Sequence, residues 1–139
     1  MERDVERLVT RLAEARRLEK TRTRIYRSLA AAAEDAGQPQ ASERLNGLHA
    51  DEQHHLSRLT ARLLELGGTP EPLEGGLVDD LRLEDWEAEA RQAESREIAF
   101  YESFLAETSL DPETRAILEE ILASERLHLE HLGGKWMPA

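Results

Sequence analysis

The same order of acidic, aromatic and histidine residues occurs twice along this chain. Each copy has a glutamate, a tyrosine seven residues later, and a Glu-x-x-His motif that begins 31 to 33 residues after the first glutamate: Glu19, Tyr26, Glu52 and His55, then Glu94, Tyr101, Glu125 and His128. Residues three apart share one face of a helix, so each Glu-x-x-His pair can reach one ion. The repeat therefore predicts two halves of a site for two metal ions inside a four-helix bundle.

The segments that carry these residues have the pattern of four long amphipathic helices. Apolar residues recur every three or four positions over about residues 4–36, 40–66, 80–108 and 112–132,. Helix-ending glycines and a proline follow the first two segments, and the Asp111-Pro112 pair has the form of a helix start,. The candidate ligands lie on the apolar faces. We therefore expect an all-α fold with these polar side chains buried.

The segment between the second and third helices predicts how they are connected. Residues 69–79 contain two prolines and two glycines and indicate an extended loop,. About 11 extended residues span roughly 37 Å, which is also the length of a helix of about 25 residues. The sequence thus predicts one ferritin-like domain over residues 1–139, with hairpins at 4–66 and 80–132 joined by a long crossover. A tail follows at 133–139, and we expect Trp136 in it to pack on the bundle.

The number of buried carboxylates predicts the charge of what binds between them. Burying one ionised carboxylate without a partner costs several kcal/mol. The cost of burying four of them without partners would exceed the free energy of unfolding of an ordinary domain. The four are Glu19, Glu52, Glu94 and Glu125. Two divalent cations balance their four charges. Carboxylate and imidazole ligands suit iron or manganese, and zinc less well. We expect two iron ions, with manganese or zinc as alternatives in a mixed pair.

Three further residues extend the predicted site. Glu97 lies one turn beyond Glu94 on the same face and is a candidate ligand that offsets the added charge of an oxidised pair,. Tyr26 and Tyr101 lie two turns from Glu19 and Glu94, and we assign them as candidate catalytic residues that hydrogen-bond a ligand carboxylate. By contrast, four other polar residues are off the main faces or at a helix end and are expected to be solvated: His49, Asp51, His54 and His131,.

Composition excludes several classes of protein. A formal net charge of −11 argues against a nucleic-acid partner,. The absence of cysteine excludes iron–sulfur and thiol chemistry within these 139 residues,. No apolar run approaches the roughly 20 residues of a membrane span, and the N-terminus shows no secretory signal. We therefore expect a cytoplasmic protein without a membrane partner.

The ligand motifs, taken with Glu97 and the paired tyrosines, resemble the ferritin-like di-iron carboxylate superfamily and within it the rubrerythrin group. The resemblance covers essentially the whole chain. It implies a di-iron oxidoreductase that reduces hydrogen peroxide or dioxygen in defence against oxidants. The chain lacks the cysteine-ligated rubredoxin domain of most rubrerythrins, so it is similar to the shorter members and its electron donor is external. The resemblance also implies a homodimer, and the long crossover would allow helix pairs to be swapped.

Three other functions fit the same pattern. The first is ferritin-type oxidation of ferrous iron followed by storage or transfer, which needs a closed shell to hold mineral. The second is an organic hydroxylase of the demethoxyubiquinone type, which favours an apolar surface near the site. The third is a structural bundle whose acidic residues only scavenge metal. Peroxide and dioxygen kinetics, the size of the assembly and the effect of replacing Glu52 and Glu125 by leucine distinguish them.

Overall fold

Four α-helices account for most of residues 2–132, which are the residues described by a computed structural model. They are α1 (Glu2–Asp35), α2 (Pro39–Glu65), α3 (Trp86–Leu105) and α4 (Pro112–His131), with a single 3-10 turn at Leu83–Asp85 and no strand among the described residues. The predicted all-α class is confirmed. The chain divides between Leu83 and Glu84 into two compact units, each of which contains one helical hairpin. Trp136 and its tail lie outside the described residues.

The first hairpin packs α1 against α2 through an apolar core. Its central leucines are at most 2% exposed: Leu12, Leu29, Leu45, Leu59 and Leu63. Each contributes about 1.5–3 kcal/mol of transfer free energy by leaving water. The turn between the helices depends on Gly37, which has φ +69°, and on Pro39 at the first position of α2. Gln38 donates its N–H to the carbonyl of Ala33, so an otherwise unsatisfied group at the end of α1 is paired,.

The crossover that follows α2 returns along α1. It starts at Gly68, whose α-carbon faces Val9 near the N-terminal end of α1. Further on, Arg16 Nη1 donates to the carbonyl of Glu71 at 3.2 Å, and Arg24 Nε donates to the carbonyl of Gly76 at 3.2 Å. Residue numbers increase in the same direction along the crossover and along α1. The crossover therefore runs parallel to α1 and spans most of its length. This course agrees with the loop length that the sequence predicts.

Arg16 is a buried side chain that holds the crossover. Besides its bond to Glu71, its Nε donates to the Thr60 hydroxyl of α2 at 2.8 Å. Burial lowers the pKa of the Arg16 guanidinium, and the charge of Glu71 raises it. An arginine pKa starts so far above neutrality that the side chain remains a cation. Arg16 therefore fixes α1, α2 and the crossover to one another.

The second hairpin packs α3 against α4. Its core includes Phe104, Leu118 and Ile121, which are at most 1% exposed. Helix α4 begins where the sequence predicts, because Asp111 accepts the N–H of Thr114 at 3.0 Å and caps the helix,. At the other end of α4, Arg91 of α3 donates to the carbonyl of Leu132 at 3.3 Å. The two ends of α4 are thus satisfied by side chains.

The third helix is shorter than its periodicity predicts. It was expected from about residue 80 to 108 but begins at Trp86 and ends at Leu105, so the expected start is wrong. Asp80 has φ +64°, a left-handed conformation that an α-helix excludes,. Apolar residues upstream of Trp86 extend the pattern into a segment that is not α-helical and contains only the 3-10 turn at Leu83–Asp85. No helix within residues 2–132 is long and apolar enough to cross a membrane.

Candidate metal centre

Glu19, Glu52 and His55 form a buried cluster within the first hairpin, which we call the first triad. Each residue offers one ligand atom, and these atoms lie within 4.8 Å of one another. Both glutamates are fully buried and His55 is 4% exposed. The Nδ1 atom of His55 lies 3.2 Å from Oε1 of Glu19. Two helices therefore bring two carboxylates and one imidazole to one point in the core.

Glu94, Glu125 and His128 form the matching cluster of the second hairpin, the second triad. Their ligand atoms also lie within 4.8 Å of one another. His128 Nδ1 is 3.1 Å from Oε1 of Glu94 and 3.4 Å from Oε1 of Glu125. Glu94 and Glu125 are fully buried, and His128 is 7% exposed. The two copies of the sequence motif thus produce the same local arrangement.

Helix geometry explains why each triad forms. Within α2, the three-residue spacing of Glu52 and His55 places both side chains on one face, and the same holds for Glu125 and His128 of α4,. The antiparallel partner helix then contributes the remaining glutamate at the same level. In α1 the hydroxyl of Thr23 donates to the backbone carbonyl of Glu19, so the buried hydroxyl also has a hydrogen-bond partner,.

The geometry and charge of each triad fit a divalent transition-metal ion. Two ligands about 2.1 Å from an ion and at right angles are about 3.0 Å apart. The measured Nδ1–Oε1 distances of 3.2 Å and 3.1 Å are close to that separation. Two carboxylates and a neutral imidazole carry two negative charges, which one divalent cation balances. Oxygen and nitrogen donors of this kind are those that iron and manganese take in proteins.

Glu97 and the two tyrosines are buried, as the sequence predicts, but are not members of the triads. Glu97 is 3% exposed and lies one turn after Glu94 on α3. Tyr26 and Tyr101 are fully buried, and the ring of Phe100 packs edge-on against Tyr101 with centroids 5.3 Å apart. Metal binding by Glu97 and hydrogen bonding of the tyrosines to ligand carboxylates stay predictions.

Arg22 is a buried residue near the first triad that the sequence pattern did not single out. It is 6% exposed, and its guanidinium carbon lies 4.5 Å from the centre of the Tyr26 ring, a cation–π geometry,. Aligning the two copies of the motif would have found it: Arg22 follows Glu19 by three residues, as Glu97 follows Glu94. The two copies therefore differ by a cation and an anion at one equivalent position.

The remaining histidines follow the prediction with one exception. His54 and His131 are exposed, as is Asp51. His49 was expected to be solvated, but it is half-buried and its Nδ1 lies 3.1 Å from the carbonyl oxygen of Thr23. A carbonyl only accepts, so the ring nitrogen carries the proton and donates. His49 thus connects α2 to α1 one turn from the first triad.

Comparison with known proteins identifies the fold. The sequence profile of the family described as Rubrerythrin matches residues 10–134. Among solved structures, a bacterioferritin from Desulfovibrio desulfuricans, described by its di-iron site in different catalytic states, superposes with a TM-score of 0.86. The match covers 94% of this chain and 78% of the bacterioferritin, at 23% sequence identity. The fold is therefore the ferritin-like four-helix bundle predicted from the sequence. No protein with a curated description matches the chain.

Proposed function

The chain belongs to the rubrerythrin family, and we propose that it is a non-haem di-iron oxidoreductase that reduces hydrogen peroxide. Membership places it in the ferritin-like di-iron superfamily, and the all-α fold agrees with that placement. The observation that carries the proposal is the presence of two buried triads, each with two carboxylates and a histidine within 4.8 Å. A purely structural bundle has no reason to bury so many ionised groups.

We assign one ion to each triad. Glu19, Glu52 and His55 would hold the first, and the second triad would hold the other, so that the chain would bind two iron ions. Two iron ions held there in the reduced state would supply two electrons, which hydrogen peroxide would take up with two protons to give two waters. The resident metal in this proposal is iron. Manganese also changes oxidation state, whereas zinc at one position would remove a redox-active centre.

The protein contributes positioning, charge and exclusion of water. The ligand side chains are at most 7% exposed, so solvent has little access to the reacting atoms,. Glu97 would add a negative charge beside the second triad when the ions become more positive. Tyr26 and Tyr101 would each hold a ligand carboxylate in place through the hydroxyl. These roles need buried residues, and all three are at most 3% exposed.

We propose that the electrons that reduce the oxidised site come from a redox centre outside these 139 residues. The 139 residues contain no cysteine and therefore no rubredoxin-type iron,. We propose that a separate redox partner supplies the electrons. We also propose that the protein acts in the cytoplasm as a homodimer, with neither a nucleic-acid nor a membrane partner.

Rapid-mixing kinetics test the choice of oxidant. Protein loaded with ferrous iron under anaerobic conditions is mixed with equal concentrations of peroxide or dioxygen, and formation of the ferric absorption is followed. We expect oxidation by peroxide to be at least about tenfold faster, a difference of about 1.4 kcal/mol in barrier height. Faster oxidation by dioxygen would contradict the proposal. The variant His55→Ala should lose the reaction, whereas His54→Ala, on the neighbouring exposed residue, should retain it.

Ferrous iron oxidation followed by storage is the second candidate, since the fold is shared with a bacterioferritin. Storage requires a closed shell of many subunits, and a dimer of 15.8 kDa chains has no interior for mineral. Light scattering of the loaded protein decides between them. A mass near that of two chains supports the peroxidase proposal, and a mass of many subunits supports storage.

A further inference from the structure

A cavity on the first hairpin concentrates positive charge in an otherwise acidic chain. It has a volume of about 180 Å³ and lies between α1, α2 and the crossover. Three cationic side chains line it: Lys20, Arg24 and Arg27. Their spacing of four and three residues places them on one face of α1. Within the part of the chain that the structure describes, this lining includes no acidic side chain, although the net charge is −11.

One of the three cations is bonded to the crossover, and the other two are available to bind a ligand. Arg24 is held by the crossover, since its Nε donates to Gly76 and its Nη2 lies 3.7 Å from the exposed carboxylate of Glu74. Lys20 and Arg27 have no ion-pair partner among residues 2–132. One cation is therefore pre-positioned, and two retain all their donors for a ligand.

Three further polar residues line the cavity next to the turns of α1 and α2 that carry the first triad. His49, Thr23 and Gln53 contribute to the wall, and the hydrogen bond from His49 to the Thr23 carbonyl fixes the ring. The lining thus draws on two helices and a loop, and the Gln53 amide of α2 adds a donor to those of the α1 cations,. A single row of surface cations would present donors from one side only. The crossover forms another side of the cavity with Gly76 and Leu77.

An adjacent cavity provides a contrast within the same molecule. It has a volume of about 200 Å³, lies on the other side of Lys20 and Arg24, and is also lined by Arg17. Its lining includes Glu74, and the neighbouring Glu71 forms an ion pair with Arg17. There the crossover provides the counter-charge to α1. In the first cavity the crossover contributes only glycine and leucine to the lining, and Lys20 and Arg27 receive no counter-charge from it.

We propose that the cavity lined by Lys20, Arg24 and Arg27 is a binding site for inorganic phosphate. Arginine and lysine are the side chains that recognise phosphate oxygens in proteins. A volume of about 180 Å³ accommodates one phosphate ion with a few waters, since a water occupies about 30 Å³ of liquid,. The lining contains no phenylalanine, tyrosine or tryptophan on which a nucleotide base would stack. These features favour the free ion over a nucleotide.

The site adjoins the first triad through the chain itself. Lys20 follows Glu19 directly, and Gln53 follows Glu52. A bound anion would therefore rest on the two helix turns that carry the metal ligands. The inference depends on the first hairpin alone and does not rest on the peroxide reaction. If the peroxide reaction were disproved, anion binding could still be tested, and the reverse also holds.

Calorimetric titration of inorganic phosphate into the iron-loaded protein, at an ionic strength fixed with sodium chloride, tests the proposal. We expect one phosphate per chain and at least a tenfold weaker affinity in both Arg27→Gln and Lys20→Gln. The matched control is Arg96→Gln, which removes one exposed cation from α3 and should change the affinity less than twofold. Equal affinity in the wild type and Arg27→Gln would overturn the proposal and place the phosphate elsewhere, including on the metal.

Two further outcomes would also overturn it. An equal loss of affinity in Arg96→Gln would mean that the anion responds only to net charge. Adenosine diphosphate that binds more than tenfold tighter than phosphate would make a nucleotide the ligand. Because both lining variants remove a surface cation without touching the apolar core, circular dichroism should show the wild-type helix content. The second variant provides a separate test if one of them fails to fold.

Discussion

His55 and Glu19 are 36 positions apart in sequence, yet the Nδ1 and Oε1 atoms of their side chains lie 3.2 Å apart in a core that solvent does not reach. The same relationship is repeated between His128 and Glu94 at 3.1 Å. Each contact joins two antiparallel helices at one level. Its chemistry predicts how the protein should respond to changes in either residue.

Replacing one ligand histidine should remove one ion. We expect His55→Ala to lower the bound iron from about two to about one per chain, because the first triad loses its nitrogen ligand while the second triad is unchanged. Elemental analysis after gel filtration measures the ratio. The control is His54→Ala, which alters an exposed neighbour on the same helix and should keep both ions. Equal iron content in the two variants would contradict the assignment.

Replacing a buried carboxylate should stabilise the metal-free protein and weaken metal binding. In the presence of a chelator, Glu52→Leu should raise the free energy of unfolding by about 1–3 kcal/mol, because an ionised group leaves an apolar core. Wild-type protein should gain about 2.7 kcal/mol when free iron is at 100 times its dissociation constant, and the variant should gain less. Urea unfolding with and without metal measures both. Glu43→Leu, exposed on α2, should change stability by no more than about 0.5 kcal/mol,.

Glu97 should influence the oxidised state more than the reduced one. Removing its charge by Glu97→Gln should disfavour the more positive oxidised ions and raise the reduction potential, with about 60 mV for each tenfold change in relative affinity. Redox titration followed by the ferric absorption measures the shift. Glu102→Gln, which removes an exposed charge from the same helix, serves as the control. An unchanged potential in Glu97→Gln would show that its charge does not act on the ions.

Tyr101 should affect the reaction without being required for the fold. Tyr101→Phe keeps the buried ring and removes the hydroxyl, so we expect retained iron and a peroxide reaction about tenfold slower, the usual effect of losing a group that orients a metal ligand. Rapid mixing with peroxide measures the rate, and elemental analysis measures the bound iron. A wild-type rate would make Tyr101 a packing residue only.

Two glycines of the first hairpin provide a stability test that does not involve the metal. A Cβ at Gly68 would lie 2.8 Å from Val9 Cγ1 and 2.9 Å from Leu63 Cδ2, so Gly68→Ala should cost about 1 kcal/mol or more through overpacking,. Gly47, inside α2, has open space around the same position, and Gly47→Ala should stabilise by about 0.8–1 kcal/mol,. Thermal unfolding should show shifts of opposite sign, and shifts of the same sign would refute the packing argument.

The sequence predicted most of the fold because its signals were local and repeated. Glu-x-x-His motifs, helix caps such as Asp111 and the glycine-containing turn after α1 all act over a few residues, and each was found where expected. The start of α3 was missed because a left-handed Asp80 leaves no trace in apolar periodicity. The enclosure of Arg22 over Tyr26 and the bond from His49 to Thr23 were missed because they depend on tertiary packing.

The attachment of the crossover to α1 limits which part of the chain could act as a hinge if two chains exchanged hairpins. The N–H of Val78 donates to the Ser28 hydroxyl at 2.7 Å and so fastens the end of the crossover to α1. Only residues 79–85 separate that anchor from α3. If two chains exchange their second hairpins, the crossover stays with its own α1 and the exchange passes through this short hinge. At about 3.4 Å per extended residue it reaches roughly 24 Å, so only a neighbour whose hairpin lies within that distance can take part.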